Sequence, residues 1–163
     1  MATHEYWGEV EQDWAGYSSD ISFAHPFFEE QNISVFLGEE FDDEGEEIDE
    51  SPTENQLADF AKTYQDFLAA IEANLSAIQH QAFDYYKKHY AHYFENPEKS
   101  GEPALNIDTV EKHNDYIKEL LHLRISKGGT ITISIRYKLD TEHGIEFKFV
   151  KGRIEKVGGI ADT

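Results

Sequence analysis

Two groups of side chains in the sequence have the types and spacing to do chemistry. The first is an acidic run with nine carboxylates among twelve residues: Glu39, Glu40, Asp42, Asp43, Glu44, Glu46, Glu47, Asp49 and Glu50. The second is the segment Asp140-Thr141-Glu142-His143-Gly144, in which two carboxylates stand beside an imidazole. Closely spaced carboxylates attract basic partners, whereas a carboxylate next to an imidazole can exchange protons with a substrate.

The acidic run fits a partner surface better than a calcium loop. With Gly45 at the turn position of such a loop, the twelfth position falls on Ser51, where calcium requires a bidentate glutamate. Two interpretations remain: the run captures a basic protein in a salt-sensitive manner, or it is a solvated turn that aids solubility. Adventitious binding of divalent cations is a lesser alternative.

The Asp140, Glu142, His143 and Gly144 motif favours a structural role over a catalytic one. Neighbouring side chains of a strand point to opposite faces, and a hairpin turn that ends in glycine commonly carries such polar residues. We expect Asp140 to accept hydrogen bonds from turn N–H groups and the following residues to fix the bend. An enzyme or ligand-binding protein that uses these residues is the alternative.

Histidines and tyrosines of the central segment could form a second site. His89, His92 and Glu95 share one helix face, but neither they nor His80 follow a recognised metal-binding spacing. Tyr85, Tyr86, Tyr90, Tyr93 and Phe94 favour packing with hydroxyls at the boundary over a ligand groove. We therefore expect no catalytic residue, no metal and no cofactor.

Charge is distributed unevenly along the 163 residues. The net charge is −19, and residues 1–61 contain 18 Asp or Glu without one Lys or Arg. Such a field repels nucleic acid and anionic lipid, and it steers basic proteins. The absence of cysteine excludes disulfides and thiolate chemistry. Without a signal peptide or a long apolar run, the expectation is a cytoplasmic protein with no membrane segment.

The elements that would position these residues form one domain over 1–163. Residues 1–50 predict an acidic β-hairpin region, with a strand at 33–38 and a turn at Asp42 to Gly45. Ser51, Pro52 and Glu54 indicate the start of a helix. Apolar residues then recur every seven positions, which predicts one long central helix over 52–94, kinked at Asn74 if anywhere. Its length of roughly 60 Å makes a homodimer a reasonable expectation.

The last third predicts a short second helix and a sheet. Residues 106–121 suggest the helix, capped by Asp108 or Asn106. Alternating residues over 122–158 predict an antiparallel β-meander with turns at 127–129 and at 142–144. The fold class is α+β, with the C-terminal meander packed on the long helix.

Most of the chain from residue 33 onward resembles an uncharacterised bacterial family of domains of unknown function. The resemblance is carried by the Asp140-x-Glu142-His143-Gly144 turn, by Gln56, Phe67 and Tyr85-Tyr86 in the helix, and by Lys151-Gly152 and Val157-Gly158. An Asp-Trp-Ala-Gly segment at 13–16 extends it. It implies an α+β fold, and it implies an accessory protein that is similar to the immunity proteins of bacterial toxin systems. The resemblance implies no activity.

The expected function is a non-enzymatic acidic protein-binding domain, an immunity, inhibitor or accessory protein for a basic partner such as a toxin. One alternative is a small enzyme or ligand binder at Asp140, Glu142 and His143, and another is a dimeric scaffold.

Overall fold

An eight-stranded sheet forms the framework of the protein, and its strands lie in the order in which they occur along the chain. A computed structural model describes residues 2–13, 16–29, 32–39, 41–42, 44–48 and 50–160. The strands are β1 (Ala2–His4), β2 (Gly8–Asp13), β3 (Gly16–Phe23), β4 (Ile33–Leu37), β5 (Glu119–Ser126), β6 (Thr130–Tyr137), β7 (Asp140–Val150) and β8 (Arg153–Gly158).

The N-terminal strands continue the C-terminal sheet instead of forming a separate hairpin region. Strand β4 pairs in parallel with β5, with Val35 opposite Leu123 and Leu37 opposite Ile125, whereas every other neighbouring pair is antiparallel. The helices lie in the crossover between these two strands. The prediction of a hairpin region and a separate meander is therefore wrong, because the strands of both belong to one larger sheet. Alternation of apolar and polar residues predicts single strands, but it does not predict that two strands some eighty residues apart will pair.

The C-terminal meander has the predicted alternation but a different turn. Ile133 lies opposite Phe147 and Ile135 opposite Ile145 on the buried face. The turn between β6 and β7 is residues 138–139, so the predicted turn at 142–144 is wrong and Glu142 to Gly144 lie within β7. The ladder is irregular between Ile135 and Tyr137, which accommodates the glycine within a strand.

The segment predicted as one long helix is three helices: α1 (Glu54–Ala69), α2 (Ile71–His89) and α3 (Ala91–Phe94). The first break is at Ala70, four residues before the predicted kink. Asn74 nevertheless takes part, because its buried Nδ2 donates a hydrogen bond of 3.0 Å to the carbonyl of Phe67 in the last turn of α1. The seven-residue pattern crosses the break since α1 and α2 both turn their apolar stripe toward the core.

The start of α1 and the second predicted helix also differ from expectation. Thr53 is the N-cap and forms a capping box with Gln56. The helix therefore begins at Glu54, two residues after the start at 52 that Ser51, Pro52 and Glu54 indicate. The predicted helix over 106–121 is reduced to α5 (Val110–Asn114), capped by Thr109 instead of Asp108 or Asn106. Its last residues enter β5, where Leu120 and Leu123 are buried against the neighbouring strands. A further short helix, α4 (Pro97–Ser100), lies between α3 and α5.

The hydrophobic core lies between the sheet and the helices. Trp7 is fully buried and donates its indole N–H to the carbonyl of Leu57, at 2.9 Å, which fixes the N-terminal strands against α1. Phe67 and Phe149 join α1 to β7 with ring centroids 5.5 Å apart. In the described part of the chain, no helix has the length and apolar character needed to cross a membrane.

Candidate functional site

Between β4 and α1 lie the described residues of the acidic run: 39, 41–42, 44–48 and 50. The Asp42 carboxylate accepts hydrogen bonds from the N–H groups of Glu44 and Glu46, both at 2.9 Å. The N–H of Asp42 donates in turn to the carbonyl of Glu46 at 2.8 Å, and Gly45 adopts a positive φ of 82°. The predicted turn is therefore present, and Asp42 holds it closed with its own side chain.

The other described acidic side chains of this loop face solvent. They are Glu39, Glu44, Glu46, Glu47 and Glu50, and all five are exposed. Glu40, Asp43 and Asp49 lie outside the described residues, as do Trp14 and Ala15 of the Asp-Trp-Ala-Gly segment. Phe41 is 50% exposed and bridges to Glu47, so an aromatic ring stands among the carboxylates. Aromatic side chains are enriched in protein–protein interfaces relative to the rest of the surface.

The Asp140 motif lies at the end of the sheet where β6 turns into β7. Asp140 accepts a hydrogen bond of 2.7 Å from the Tyr90 hydroxyl, between α2 and α3, and its carboxylate oxygens lie 2.9 and 3.0 Å from Nδ1 of His143. It also accepts the backbone N–H of His143 at 3.2 Å. The sequence predicts that Asp140 accepts N–H groups of a turn; it accepts one backbone N–H, and both residues lie in strand β7.

The electrostatics of the motif follow from these contacts. Burial would raise the pKa of Asp140, but the hydrogen bonds from Tyr90 and His143 outweigh it and hold that pKa below its usual value. The Tyr90 hydroxyl has a strongly raised pKa because it is desolvated and donates to the carboxylate. Asp140 therefore remains ionised as an acceptor at neutral pH. This arrangement ties the helix ends to the sheet and orients the exposed His143 ring.

Asp140 should contribute more to stability than the histidine of the same motif. We expect Asp140→Ala to lower the free energy of unfolding by about 2 kcal/mol, because the Tyr90 hydroxyl and the His143 N–H lose their shared acceptor. We expect His143→Ala to cost less than about 1 kcal/mol, since this side chain is 63% exposed. Urea denaturation of both variants measures the difference, and equal effects would contradict the positioning role of Asp140.

A buried cluster of aromatic and polar groups lies next to this motif. His113 is fully buried, and its Nε2 is hydrogen-bonded to the Tyr137 hydroxyl at 2.6 Å. Tyr86 is also fully buried and donates to Glu95 at 2.5 Å. Glu95 accepts two further hydrogen bonds, from the N–H groups of Asn106 and Ile107. Burial would raise the pKa of Glu95, but these hydrogen bonds lower it.

Sequence reasoning missed His113, although a signal was present. His113 stands three residues after Val110 and four before Ile117, which places it on the apolar face of the short helix. The ring lies against Phe83, Tyr86, Tyr116 and Tyr137. Desolvation lowers its pKa from 6.5 to about 4, so the imidazole is neutral in the folded protein at neutral pH.

The other histidines of the central segment do not come together. His89 lies against the Tyr85 ring, whereas His80 is hydrogen-bonded to the carbonyl of Ser76. The break at Tyr90 places His92 in α3, and Glu95 is occupied by Tyr86. Within the described ranges, no three His, Asp or Glu side chains are grouped in a way that could hold a metal ion.

Comparison with known proteins gives one match. A family model described as a domain of unknown function (DUF6985) covers residues 6–162. Neither a curated protein nor a solved structure matches the chain. The match extends over seven of the eight strands, all but β1, and over all five described helices.

Proposed function

The chain belongs to a family of domains of unknown function, and we propose that it is a non-enzymatic protein-binding domain that captures a basic partner. The observation that carries the proposal is the acidic loop between β4 and α1, with its turn closed by Asp42 and the half-exposed Phe41 beside it. The charge of this region steers the encounter, and the aromatic ring supplies contact area once the partner is bound.

The turn that Asp42 closes supports a binding role over simple solubilisation. A solubilising segment needs only charge, whereas here the Asp42 carboxylate accepts two hydrogen bonds that hold the turn. A turn that is formed before binding lowers the entropy cost of association. Glu44, Glu46 and Glu47 are exposed in or next to this turn, where basic side chains can reach them.

The more specific proposal is an immunity, inhibitor or accessory protein for a toxin with a basic active cleft. Residues 1–61 contain 18 acids and no Lys or Arg, which suits competition with an anionic substrate such as nucleic acid. In this mechanism the loop carboxylates occupy basic residues of the partner and block its cleft.

Charge reversal of the loop tests this proposal. We expect the triple variant Glu44→Lys, Glu46→Lys, Glu47→Lys to lose the partner proteins that the wild type retains from a source-cell lysate. Asp42 is left in place because its side chain holds the turn, so the melting temperature should change little. Retention is measured by affinity capture with elution in a salt gradient, followed by identification of the proteins in each fraction.

The matched control reverses three exposed charges on other elements. Glu98→Lys, Glu102→Lys and Glu111→Lys change the net charge by the same amount and lie outside the loop. We expect this control to retain the same basic protein as the wild type. If both triple variants lose the partner equally, only the overall charge of the protein matters. If the loop variant still retains the partner, the proposal is contradicted.

The Asp140 motif supports a second, enzymatic or ligand-binding candidate less well. Asp140 and His143 form a hydrogen-bonded pair that could pass a proton, but Glu142 makes no side-chain contact with them within the described residues. A stable His143→Ala variant that lost an activity of the wild type would favour this candidate. The argument for a dimeric scaffold was a single helix of roughly 60 Å. That helix is broken at Ala70 and Tyr90, so the argument no longer applies.

A further inference from the structure

A cavity of about 340 Å³ opens between the break in the helices and one end of the sheet. Its inner wall includes Phe67 from α1, Ile131 from β6 and Phe149 from β7, each of which is at most 4% exposed. The rim carries the charged side chains Lys62, Asp66 and Lys151. Apolar walls with a few polar groups at the opening are typical of a small-molecule site. The cavity is at the opposite end of β6 and β7 from the Asp140 motif.

Small residues and the helix break keep this space open. Ala70, at the break, and the turn residues Gly129 and Gly152 line the cavity, and an added Cβ at Gly152 would meet nothing within 4 Å. The buried amide of Asn74 holds the carbonyl of Phe67 and so fixes the break. The cavity therefore arises from a stable feature of the backbone.

Lys151 occupies an unusual backbone conformation at the rim. Its φ is +51°, and it forms a two-residue turn between β7 and β8 with Gly152, whose φ is +83°. Asn or Gly is the preferred residue at such a position, and lysine is strained there. The stem of Lys151 runs beside Gly129, where an added Cβ would lie 3.3 Å from its Cγ. In the described part of the chain, its ammonium has no ion-pair partner.

The rim is locally positive in a strongly negative protein. Lys62 forms an exposed ion pair with Asp66 at 3.1 Å, which balances one of the two ammonium groups. The second, on Lys151, remains as excess positive charge beside an apolar cavity. An anion with an apolar body contacts the walls of the cavity and pairs with the Lys151 ammonium. A neutral apolar molecule contacts only the walls, and a cation is repelled by the ammonium.

We propose that this cavity binds a small monocarboxylate whose apolar body has about ten non-hydrogen atoms, the number that fills a cavity of this size. The chain of the ligand lies against Phe67, Ile131 and Phe149, and its carboxylate reaches Lys151 and Lys62. This site is independent of the acidic loop, so either proposal can fail without the other.

Titration with straight-chain carboxylates tests the site. Hexanoate, octanoate and decanoate are added to the purified protein below their micelle concentrations, with the matching alcohols in parallel. We expect saturable 1:1 binding by calorimetry, with affinity rising about fourfold per methylene until the cavity is full. Backbone amide shifts should be confined to residues around Gly129, Ile131 and Lys151. Absence of saturable binding for every carboxylate would overturn the proposal.

The variant Lys151→Asn separates the charge from the fold. Asparagine suits the positive φ, so the turn should remain intact and the melting temperature should not fall. We expect carboxylate binding to weaken about tenfold and alcohol binding to stay the same. Lys99→Asn removes one positive charge elsewhere, on α4, and should leave both affinities unchanged. Equal effects of the two substitutions, or decanol binding as tightly as decanoate in the wild type, would also overturn the proposal.

Discussion

Replacement of Gly144 by alanine is expected to lower the free energy of unfolding by about 3 kcal/mol, the sum of a backbone and a packing effect. Gly144 is buried in β7 with a φ of +66°, a conformation that costs an L-residue energy. A Cβ built there would lie 2.5 Å from Cδ1 of Ile160 and 3.1 Å from the carbonyl oxygen of Ile135. The side chain could move aside, but the backbone of the neighbouring strand could not move without disturbing the sheet.

Gly101→Ala is the matched control for this effect. Gly101 ends α4 with a similar φ of +75°, but an added Cβ would meet nothing within 4 Å. We expect this substitution to cost about 1 kcal/mol, the backbone part alone. Chemical denaturation of both variants measures the difference, and a Gly144→Ala variant as stable as Gly101→Ala would show that β7 can absorb the contact.

Gly144 also illustrates how far sequence reasoning reaches. The sequence predicts a hairpin turn at 142–144 that ends at this glycine. That turn is wrong, because the chain has already turned at 138–139, but Gly144 does adopt a positive φ within β7. Local residue types specify a backbone conformation, but the register of β6 and β7 decides where along the strand it is used.

The helical segment shows the same limit. Spacing from Leu57 to Ala82 predicts correctly most of the residues that face the core on both sides of the break, but Leu68, which belongs to the same pattern, is exposed. It does not predict the break at Ala70, because two helices that pack on one sheet keep a common phase. The parallel pairing of β4 with β5 is likewise invisible to alternation, since it depends on contacts far apart in sequence.

Of the two proposed binding sites, the acidic loop was predictable from the sequence and the cavity was not. Nine carboxylates within twelve residues are conspicuous in any sequence, and the turn at Asp42 to Gly45 follows from local residue preferences. Lys62 and Phe67 are far from Lys151 in the chain, and the three come together only through the packing of α1 on the sheet and the sheet register. Their residue types alone carry no signal of a shared site.

The second large effect concerns pH. Between about pH 7 and pH 5, we expect His113 to remove about 2 kcal/mol from the free energy of unfolding. Burial among aromatic rings lowers the pKa of His113 from 6.5 to about 4 in the folded protein. In this window the unfolded chain therefore binds a proton that the folded protein excludes. Stability is complete above the unfolded pKa and is lost as the pH falls toward the folded one.

The physical origin of the shift lies in the surroundings of the ring. The described groups in contact with His113 are Phe83, Tyr86, Tyr116 and Tyr137, which carry no charge at these pH values. Nδ1 has no hydrogen-bond partner within the described residues, so a proton added to the ring brings a charge that nothing compensates. Acid should therefore weaken the junction of α2, α5 and β6 before it affects the carboxylates.

His113→Gln tests this origin by removing the titrating group while keeping an amide that can reach the Tyr137 hydroxyl. The variant should be less stable than the wild type at neutral pH, because the smaller contact area loses ring packing. Between pH 7 and pH 5, its free energy of unfolding should also fall by about 2 kcal/mol less than that of the wild type. The reason is that glutamine cannot take up the proton that His113 binds only in the unfolded chain. His89→Gln, at an exposed position, should keep the wild-type slope. A slope that survives in His113→Gln would assign the acid sensitivity to another group and leave His113 with a packing role alone.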